Sequence, residues 1–341
     1  MIIPLTRVFL MLGSKCNLQC KYCLQHDMAT PDDETLVSDK VIQWLKTCVK
    51  TQERRLLVTF YGGEPLIYWP AIRQVVRELG AFVNFNIITN GKLLTPEKVD
   101  FLNSYNIGVA VSWDGRTVSD TRGYDAIKEN PCILDLNRLN LSAVISALAY
   151  PKDFLDAAEP VMDAYYMKHG YHPGLNIDTI MDFGNCADLT QMNLDILREQ
   201  AEDIVKGDSM AYKRFRETFY SINALVSKDK GINAKCGNGV QVWNVDVEGN
   251  VYRCHNCGER LGDLDDAPLE LIKKALVLDP TPENYEQCRE CEVERICRGG
   301  CPMVTDKARR KYYCDIKRAF YGPILADIDR PTRTGEELII N

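Results

Sequence analysis

Apolar runs alternate with amphipathic helical stretches through most of the first 230 residues of this 341-residue chain. Such alternation is typical of repeated βα units around a parallel sheet. The predicted strands are Arg7–Leu12, Leu56–Tyr61, Val83–Thr89, Ile107–Trp113, Ser142–Ala149 and Leu175–Met181. The clearer predicted helices between them are Asp39–Lys50, Trp69–Leu79, Pro96–Tyr105 and Lys152–Lys168. Six strand–helix repeats predict an α/β fold, an open and partial version of the eightfold barrel.

Composition limits the classes of protein to which this chain can belong. With 45% apolar and 26% charged residues, it can bury one large core plus a small appendage. The net charge of −7 and the lack of a long Lys/Arg run argue against nucleic acid as a partner. No stretch approaches the ~20 apolar residues of a membrane helix, and the N-terminal MIIPLTRVFLMLG lacks the pattern of a secretory signal. We therefore expect a cytoplasmic protein with no membrane partner.

Fourteen cysteines are the most unusual part of the composition. Cys16, Cys20 and Cys23 lie in the segment CNLQCKYC, directly after the first predicted strand. Without a secretory signal, clustered cysteines favour metal binding over disulfides. A 4Fe-4S cluster takes four thiolates, so this C-x3-C-x2-C loop leaves one iron for another ligand; zinc or a structural role is the alternative. Three isolated cysteines are interpreted as small core or surface residues: Cys48, Cys132 and Cys186.

Four unusual segments each follow a predicted strand, so they are expected to meet on one face of the barrel. The first is the cysteine loop after strand one; the others are Gly62-Gly63-Glu64-Pro65, Thr89-Asn90-Gly91 and Ser112-Trp113-Asp114-Gly115. Two adjacent glycines let the backbone approach a ligand closely. Ordinary tight turns are the alternative, because Asn-Gly and Asp-Gly are common turn dipeptides.

The motif CxxxCxxC, followed one strand later by GGEP, resembles the radical S-adenosylmethionine (SAM) enzymes. The resemblance implies a 4Fe-4S cluster on Cys16, Cys20 and Cys23, whose open iron binds SAM and whose electron cleaves SAM to a 5′-deoxyadenosyl radical. It also implies cofactor contacts by eight further residues: Tyr22, Gly62, Gly63, Glu64, Asn90, Ser112, Asp114 and Arg122. For Arg122 the alternative is a surface ion pair.

A second cysteine array occupies the C-terminal third of the chain. Cys236 and Cys254 are followed by a C-x2-C-x5-C-x3-C-x12-C run from Cys288 to Cys314. This order resembles the SPASM extension, an auxiliary iron–sulfur domain of peptide-maturing and anaerobic sulfatase-maturating radical SAM enzymes. For the C-x2-C pair, half of a zinc site is the alternative. The resemblance therefore implies two auxiliary 4Fe-4S clusters.

The SPASM resemblance also implies which cysteines bind each auxiliary cluster. The first cluster takes Cys236, Cys254 and Cys301, and the second takes the remaining four: Cys288, Cys291, Cys297 and Cys314. Sulfatase maturases carry another cysteine shortly after the first, which this chain lacks, and Cys257 is the available substitute. If Cys257 binds, the first cluster is fully ligated and carries electrons; if it does not, an iron is open to substrate.

His255 follows Cys254, at the position where sulfatase maturases place an aspartate that acts as base. An imidazole can accept a proton near neutral pH, so His255 is the candidate catalytic acid or base. A hydrogen-bonded surface imidazole is the alternative.

These features divide the chain into four parts. We expect a radical SAM domain, a partial (β/α)6 TIM-like barrel, over residues 1–190 and a bridge of two amphipathic helices over 191–235. A small cysteine-rich iron–sulfur domain follows over 236–320, and a C-terminal tail over 321–341. Aromatic residues in the bridge segment MAYKRFRETFYSINAL are expected to pack against the barrel.

The expected function is maturation of a ribosomally made peptide. SPASM enzymes characteristically abstract hydrogen from a peptide residue and then oxidise or cross-link it with the help of the auxiliary clusters. The expected partners are the peptide and a low-potential electron donor such as flavodoxin or ferredoxin. Because the first strand begins near Arg7, leader recognition would need a separate leader-binding protein or another surface, unless there is no leader. Radical dehydrogenation of a small alcohol or sugar is one alternative, and a non-enzymatic iron–sulfur or zinc protein is another.

Overall fold

The described strands of the protein form a sheet of nine strands. The computed structural model describes residues 5–25, 36–51, 55–184, 186–228, 240–276 and 286–328. The strands are β1 (Arg7–Met11), β2 (Leu57–Tyr61), β3 (Asn84–Thr89), β4 (Gly108–Ser112), β5 (Leu139–Ile145), β6 (Gly174–Thr179), β7 (Val242–Asp246), β8 (Asn250–Cys254) and β9 (Cys257–Asp263). Their order in the sheet is β6-β5-β4-β3-β2-β1-β7-β8-β9.

The first six strands form the predicted partial barrel. β1 to β6 are hydrogen-bonded to one another in sequence order, and every pair is parallel. Parallel neighbours need a crossover, and helices supply it here. The sequence prediction of an α/β fold with six βα repeats is therefore confirmed.

Twelve helices are found in the described ranges of the chain. They are α1 (Asp39–Thr51), α2 (Trp69–Leu79), α3 (Pro96–Ser104), α4 (Val118–Thr121), α5 (Ala126–Glu129), α6 (Pro151–His169), α7 (Leu194–Lys206), α8 (Met210–Lys228), α9 (Pro268–Leu276), α10 (Glu286–Arg289), α11 (Glu294–Cys297) and α12 (Lys307–Ile328). The crossover helices begin where the sequence favours a start. Proline occupies the first turn of α2, α3 and α6, where its missing amide costs no hydrogen bond.

The fifth strand differs most from its predicted bounds. It was expected at Ser142–Ala149 and is found at Leu139–Ile145. It ends early because the amide of Ser146 donates to the carbonyl oxygen of Ala149 at 2.9 Å, which closes a tight turn before α6 begins. The other five strands and the four named helices lie within two residues of their predicted bounds.

The two bridge helices, α7 and α8, pack onto the barrel as the aromatic pattern predicts. α8 lies against β6 and α6, and α7 lies against α12. The ring of Phe215 stacks on Phe320 with centroids 5.9 Å apart, and Phe219 meets Tyr321 at 5.3 Å. These contacts fix the C-terminal helix α12 to the same core as the barrel.

Strands β7, β8 and β9 extend the barrel sheet beyond β1, which the sequence analysis did not predict. β7 pairs with β1 in parallel, with Arg7 opposite Val242, and β8 and β9 follow as antiparallel neighbours. Trp243 stacks on Trp44 of α1 with centroids 5.8 Å apart. The segment that carries Cys254 and Cys257 is thereby joined directly to the barrel.

Three isolated cysteines, Cys48, Cys132 and Cys186, are buried, as their core interpretation predicts. Within the described part of the chain, no helix combines the length and the apolar character needed to cross a bilayer.

Candidate functional site

The cysteine loop lies against the Gly62–Gly63 turn that follows β2. The amide of Gly63 donates to the carbonyl oxygen of Gly13 at 3.0 Å. A Cβ atom added at Gly63 would lie 2.3 Å from the carbonyl oxygen of Ser14, and Gly62 has a φ of +150°. Both positions therefore require glycine, because a larger residue would push the cysteine loop away.

Glu64 connects this turn to the loop after β3. Its buried carboxylate accepts hydrogen bonds from the Leu66 amide at 2.9 Å, the Thr89 hydroxyl at 2.7 Å and the Asn90 amide at 2.8 Å. Burial raises the pKa of Glu64, and the hydrogen bonds from Asn90 and Leu66 oppose that rise. The side chain is placed inside the loop cluster rather than on the cavity wall described below, so cofactor binding by Glu64 stays a prediction.

Asp114, in the loop after β4, also connects separate loops through its carboxylate. Its fully buried carboxylate accepts hydrogen bonds from the Tyr22 hydroxyl, from Thr121 at 2.7 Å, from Arg122 Nε at 3.0 Å and from the Val144 amide at 3.0 Å. Burial raises the pKa of Tyr22 well above its usual value, so the phenol keeps the proton that it donates. Asp114 therefore joins the cysteine loop, the loop after β4 and strand β5.

The ion pair expected as an alternative role for Arg122 is present, but it is not on the surface. The Arg122 side chain is only 10% exposed and Asp114 is 0% exposed. The guanidinium also lies over the ring of Tyr22, 5.2 Å from its centroid. Such pairing offsets the cost of burying the charge.

A cavity of about 480 Å³ opens between these loops and the C-terminal segment. Twelve of the predicted site residues border it: Cys16, Cys20, Tyr22, Cys23, Gly62, Gly63, Asn90, Ser112, Arg122, Cys254, His255 and Cys301. Glu64 and Asp114 lie behind its wall. The fold thus brings together residues from the two cysteine arrays, which are more than 200 positions apart in the sequence.

Asn90 is part of a turn and of the cavity wall at the same time. Its Oδ1 accepts a hydrogen bond from the Lys92 amide at 3.0 Å, as in an ordinary Asx turn. Its Nδ2 donates to Asn17 Oδ1 at 2.7 Å and lies 3.9 Å from the sulfur of Cys16. Asn90 therefore forms the turn, and its side chain contacts the cysteine loop as well.

His255 forms part of the cavity wall instead of a hydrogen-bonded surface group. Its ring stacks on Phe9 with centroids 4.0 Å apart and meets the edge of Tyr61 at 4.7 Å. Its Nδ1 is buried and has no hydrogen-bond partner among the described residues. Burial, with a smaller contribution from Arg7, lowers the pKa of His255 to about 3, so the ring is neutral near pH 7.

Cys254 and Cys257 face each other across the turn between β8 and β9. A hydrogen bond from Cys254 lowers the pKa of the Cys257 thiol to about 7. This proximity fits Cys257 as the substitute ligand that the sequence suggested. Cys236, the third cysteine assigned to this cluster, lies outside the described residues.

The remaining four cysteines border a separate small cavity of about 20 Å³. They are Cys288, Cys291, Cys297 and Cys314, which is the set assigned to the second auxiliary cluster. Cys301 follows Cys297 by only four positions but borders the large cavity. Three consecutive residues with positive φ, Arg298 (+50°), Gly299 (+79°) and Gly300 (+82°), redirect the chain between them.

The cysteines that border the large cavity and those that border the small cavity are suitable ligands for iron–sulfur clusters, because thiolates are the usual ligands of such clusters. Within the described ranges, no three ligating side chains already converge on a single metal ion.

Sequence reasoning missed several residues of the large cavity. Tyr61 and Asp178 lie at or next to the C-terminal ends of β2 and β6, and both border the cavity. The Tyr61 hydroxyl donates to Asn256 Oδ1 at 2.8 Å. Counting back from the end of each predicted strand would have found the tyrosine and the aspartate, whereas the C-terminal lining residue Met303 carries no such signal.

Comparisons with known proteins identify a domain in the N-terminal part of the chain. Residues 10–127 match the model of the Radical SAM superfamily. The chain is 25% identical to the radical SAM cyclopropyl synthase TigE of Paramaledivibacter caminithermalis over 87% of this chain and 68% of that protein. It is 22% identical to the cysteine-type anaerobic sulfatase-maturating enzyme of Clostridium perfringens over 93% of this chain and 95% of that enzyme.

Solved structures show the same fold. Native anSMEcpe with bound AdoMet and Cp18Cys peptide aligns with a TM-score of 0.63 at 19% identity, covering 95% of this chain and 98% of that one. Streptococcus suis SuiB bound to precursor peptide SuiA aligns with a TM-score of 0.61 at 15% identity, covering 91% and 74%. The superfamily implies SAM and a 4Fe-4S cluster as cofactors. The chain therefore contains a radical SAM domain over residues 10–127 and is similar to the sulfatase-maturating enzymes along most of its length, and its cysteine-rich C-terminus fits the SPASM extension.

Proposed function

We propose that this enzyme matures a ribosomally made peptide by removing a hydrogen atom from one of its residues and then oxidising or cross-linking that residue. The observation that carries the proposal is the shared cavity, which Cys16, Cys20 and Cys23 border together with Cys254 and Cys301. A substrate inside it would contact both the site of hydrogen abstraction and the acceptor of its remaining electron.

In this proposal Cys16, Cys20 and Cys23 hold the first cluster, and the Gly62–Gly63 turn keeps their loop in place. When bound there, the cluster and SAM would supply the radical chemistry that removes a hydrogen atom from the substrate. Asn90, Ser112 and Arg122 border the cavity, and we propose that they orient the cofactor. In this proposal positioning is the main contribution of the protein.

The C-terminal residues of the cavity are proposed to remove the second electron and the proton. Cys254 and Cys301, with Cys257 and Cys236, would hold the first auxiliary cluster, a group that could accept the electron. His255 is the proposed proton acceptor, because it borders the cavity next to Cys254 and its Nδ1 has no hydrogen-bond partner among the described residues. Four further cysteines would hold the second auxiliary cluster: Cys288, Cys291, Cys297 and Cys314.

Peptide substrates are supported by the relatives. The aligned structures of anSMEcpe and SuiB were solved with the Cp18Cys peptide and the precursor peptide SuiA, respectively. By analogy we propose a peptide substrate, a low-potential donor such as flavodoxin or ferredoxin for the first electron, and action in the cytoplasm.

Anaerobic coexpression with a short peptide encoded beside the gene tests this function. We expect the peptide mass to fall by two hydrogens per modified residue, and we expect no change with the Cys16→Ala/Cys20→Ala/Cys23→Ala variant. Cys132→Ala is the matched control, since this cysteine is buried away from both cavities. Turnover of a small alcohol or sugar with the peptide unchanged would overturn the proposal.

A further inference from the structure

Lys317 of α12 is a buried cation between the two cavities. Its side chain borders the small cavity together with the four cysteines assigned to the second auxiliary cluster. Its ammonium donates a hydrogen bond to the Thr179 hydroxyl at 2.6 Å, and Thr179 borders the large cavity. The residue as a whole is only 2% exposed.

Two aromatic rings surround the same ammonium. Lys317 Nζ lies 4.9 Å from the ring centroid of Tyr313 and 4.8 Å from that of Tyr321. Cation–π contacts of this kind stabilise a charge that has lost its water. Tyr313 also borders the large cavity, so the lysine and its contacts fill the wall between the two sites.

A buried lysine is costly unless charge of opposite sign is close. Four thiolates on a 2+ cluster core give a net charge of −2, and one-electron reduction gives −3. A nearby cation stabilises the reduced state more than the oxidised state. Salt screens a buried charge of this kind much less than a surface charge.

Two arginines also lie close to the four cysteines. Arg318 is hydrogen-bonded to Cys291, but 34% of its side chain is exposed, so solvent weakens its effect. Arg310 is buried, its positive charge acts on Cys288 and Cys314, and its guanidinium donates to the carbonyl oxygens of Val304 and Gly299. Glu294 borders the cavity with the opposite charge and is partly exposed. Because these charges are the same in every Lys317 variant, the contribution of Lys317 is measured by replacing it alone.

We propose that Lys317 raises the reduction potential of the cluster held by Cys288, Cys291, Cys297 and Cys314, and so makes it the acceptor of electrons from the cluster at Cys254 and Cys301. In that step one cluster loses an electron and the other gains it, with no bond formed or broken. The inference rests on the ligand sets of the proposed function. Lys317 acts here through its charge and touches neither substrate nor SAM.

Three substitutions distinguish an effect of the Lys317 charge from an effect of the local structure. Lys317→Gln removes the charge and keeps a hydrogen-bond donor for Thr179. Lys317→Arg keeps the charge. Thr179→Val removes the hydrogen-bond partner and leaves the lysine in place, so it reports a purely structural role.

The measurement is an EPR-monitored redox titration of the full-length protein, reconstituted anaerobically. The parent carries Cys16→Ala, Cys20→Ala, Cys23→Ala, Cys254→Ala and Cys301→Ala, so that the four-cysteine cluster is the one observed. In Lys317→Gln we expect the equilibrium constant for reduction to fall at least tenfold, which is about 59 mV towards lower potential for one electron. Lys317→Arg and Thr179→Val should stay close to the parent.

A parent-like potential in Lys317→Gln would overturn the inference, and so would an equal shift in Thr179→Val. Failure of the parent itself to bind a cluster, judged by its iron content, would instead overturn the four-cysteine ligand set and with it the role of Lys317. The two failures are therefore distinguishable.

Discussion

Asp114 illustrates how single buried side chains hold the loops of this site in place. In the sequence analysis, the resemblance to radical SAM enzymes implied that Asp114 contacts the cofactor. In the structure its carboxylate is occupied by donors from the cysteine loop, α4 and β5. The residue type and position could be predicted from the sequence, but the direction of the side chain could not, because its partners are up to 92 positions away.

Replacing Asp114 tests this anchoring role. Asp114→Asn leaves Arg122 buried without its counter-charge, and breaking such a pair costs about 3 kcal/mol or more. We expect the free energy of unfolding, measured by urea titration of the cluster-free protein, to fall by about that amount. Asp120→Asn, at an exposed position on α4, should change it little. Equal stability of the two variants would contradict the anchoring role.

The isolated cysteines give a second prediction for single residues. Burial raises the pKa of Cys48 and of Cys186 to about 12, so their thiolates form only as the pH rises towards that value. At pH 8 the reactive thiolate fraction is on the order of 10⁻⁴. In cluster-free protein, iodoacetamide should therefore label both at least tenfold more slowly than the exposed Cys16, as followed by peptide mass spectrometry. Similar labelling rates at pH 8 would show that these two thiols are not buried.

Among the elements, the loops at the ends of the barrel strands were the most predictable part. Periodicity located the strands, and parallel strands place their C-terminal loops on one face. The pairing of β7 with β1 could not be predicted in this way, because Arg7 and Val242 are distant in sequence and nothing local in either strand indicates its partner. The turn at Arg298 to Gly300 was missed for a similar reason, since only the fold shows that its neighbours face different cavities.

The contact between the Gly62–Gly63 turn and the cysteine loop can be tested by substitution. Gly63→Ala places a Cβ atom against the carbonyl oxygens of Ser14 and Lys15, at 2.3 and 2.4 Å. We expect the reconstituted variant to lose the iron of one cluster and its SAM cleavage. Gly258→Ala is the matched control, because its Cβ would meet no atom within 4 Å. Wild-type iron content and SAM cleavage in Gly63→Ala would contradict the predicted displacement.

For the molecule as a whole, the C-terminal segment completes the barrel sheet as well as supplying cysteines. A chain ending at Lys228 would lack β7 and expose the edge of β1, and open strand edges promote aggregation. We expect this truncation to elute as aggregates in size-exclusion chromatography. A chain ending at Ile328 keeps every described strand and helix and should elute as the full-length protein does. A well-behaved shorter chain would show that β7 is not needed to complete the sheet.

The central claim is that the whole molecule assembles a SAM-cleaving centre on Cys16, Cys20 and Cys23. The most direct measurement is 5′-deoxyadenosine formation by the anaerobically reconstituted protein with SAM and a strong reductant. We predict product with the wild type and with Cys132→Ala, and none with Cys16→Ala/Cys20→Ala/Cys23→Ala. Equal product from the triple variant, or none from a wild type whose clusters are intact, would contradict the account.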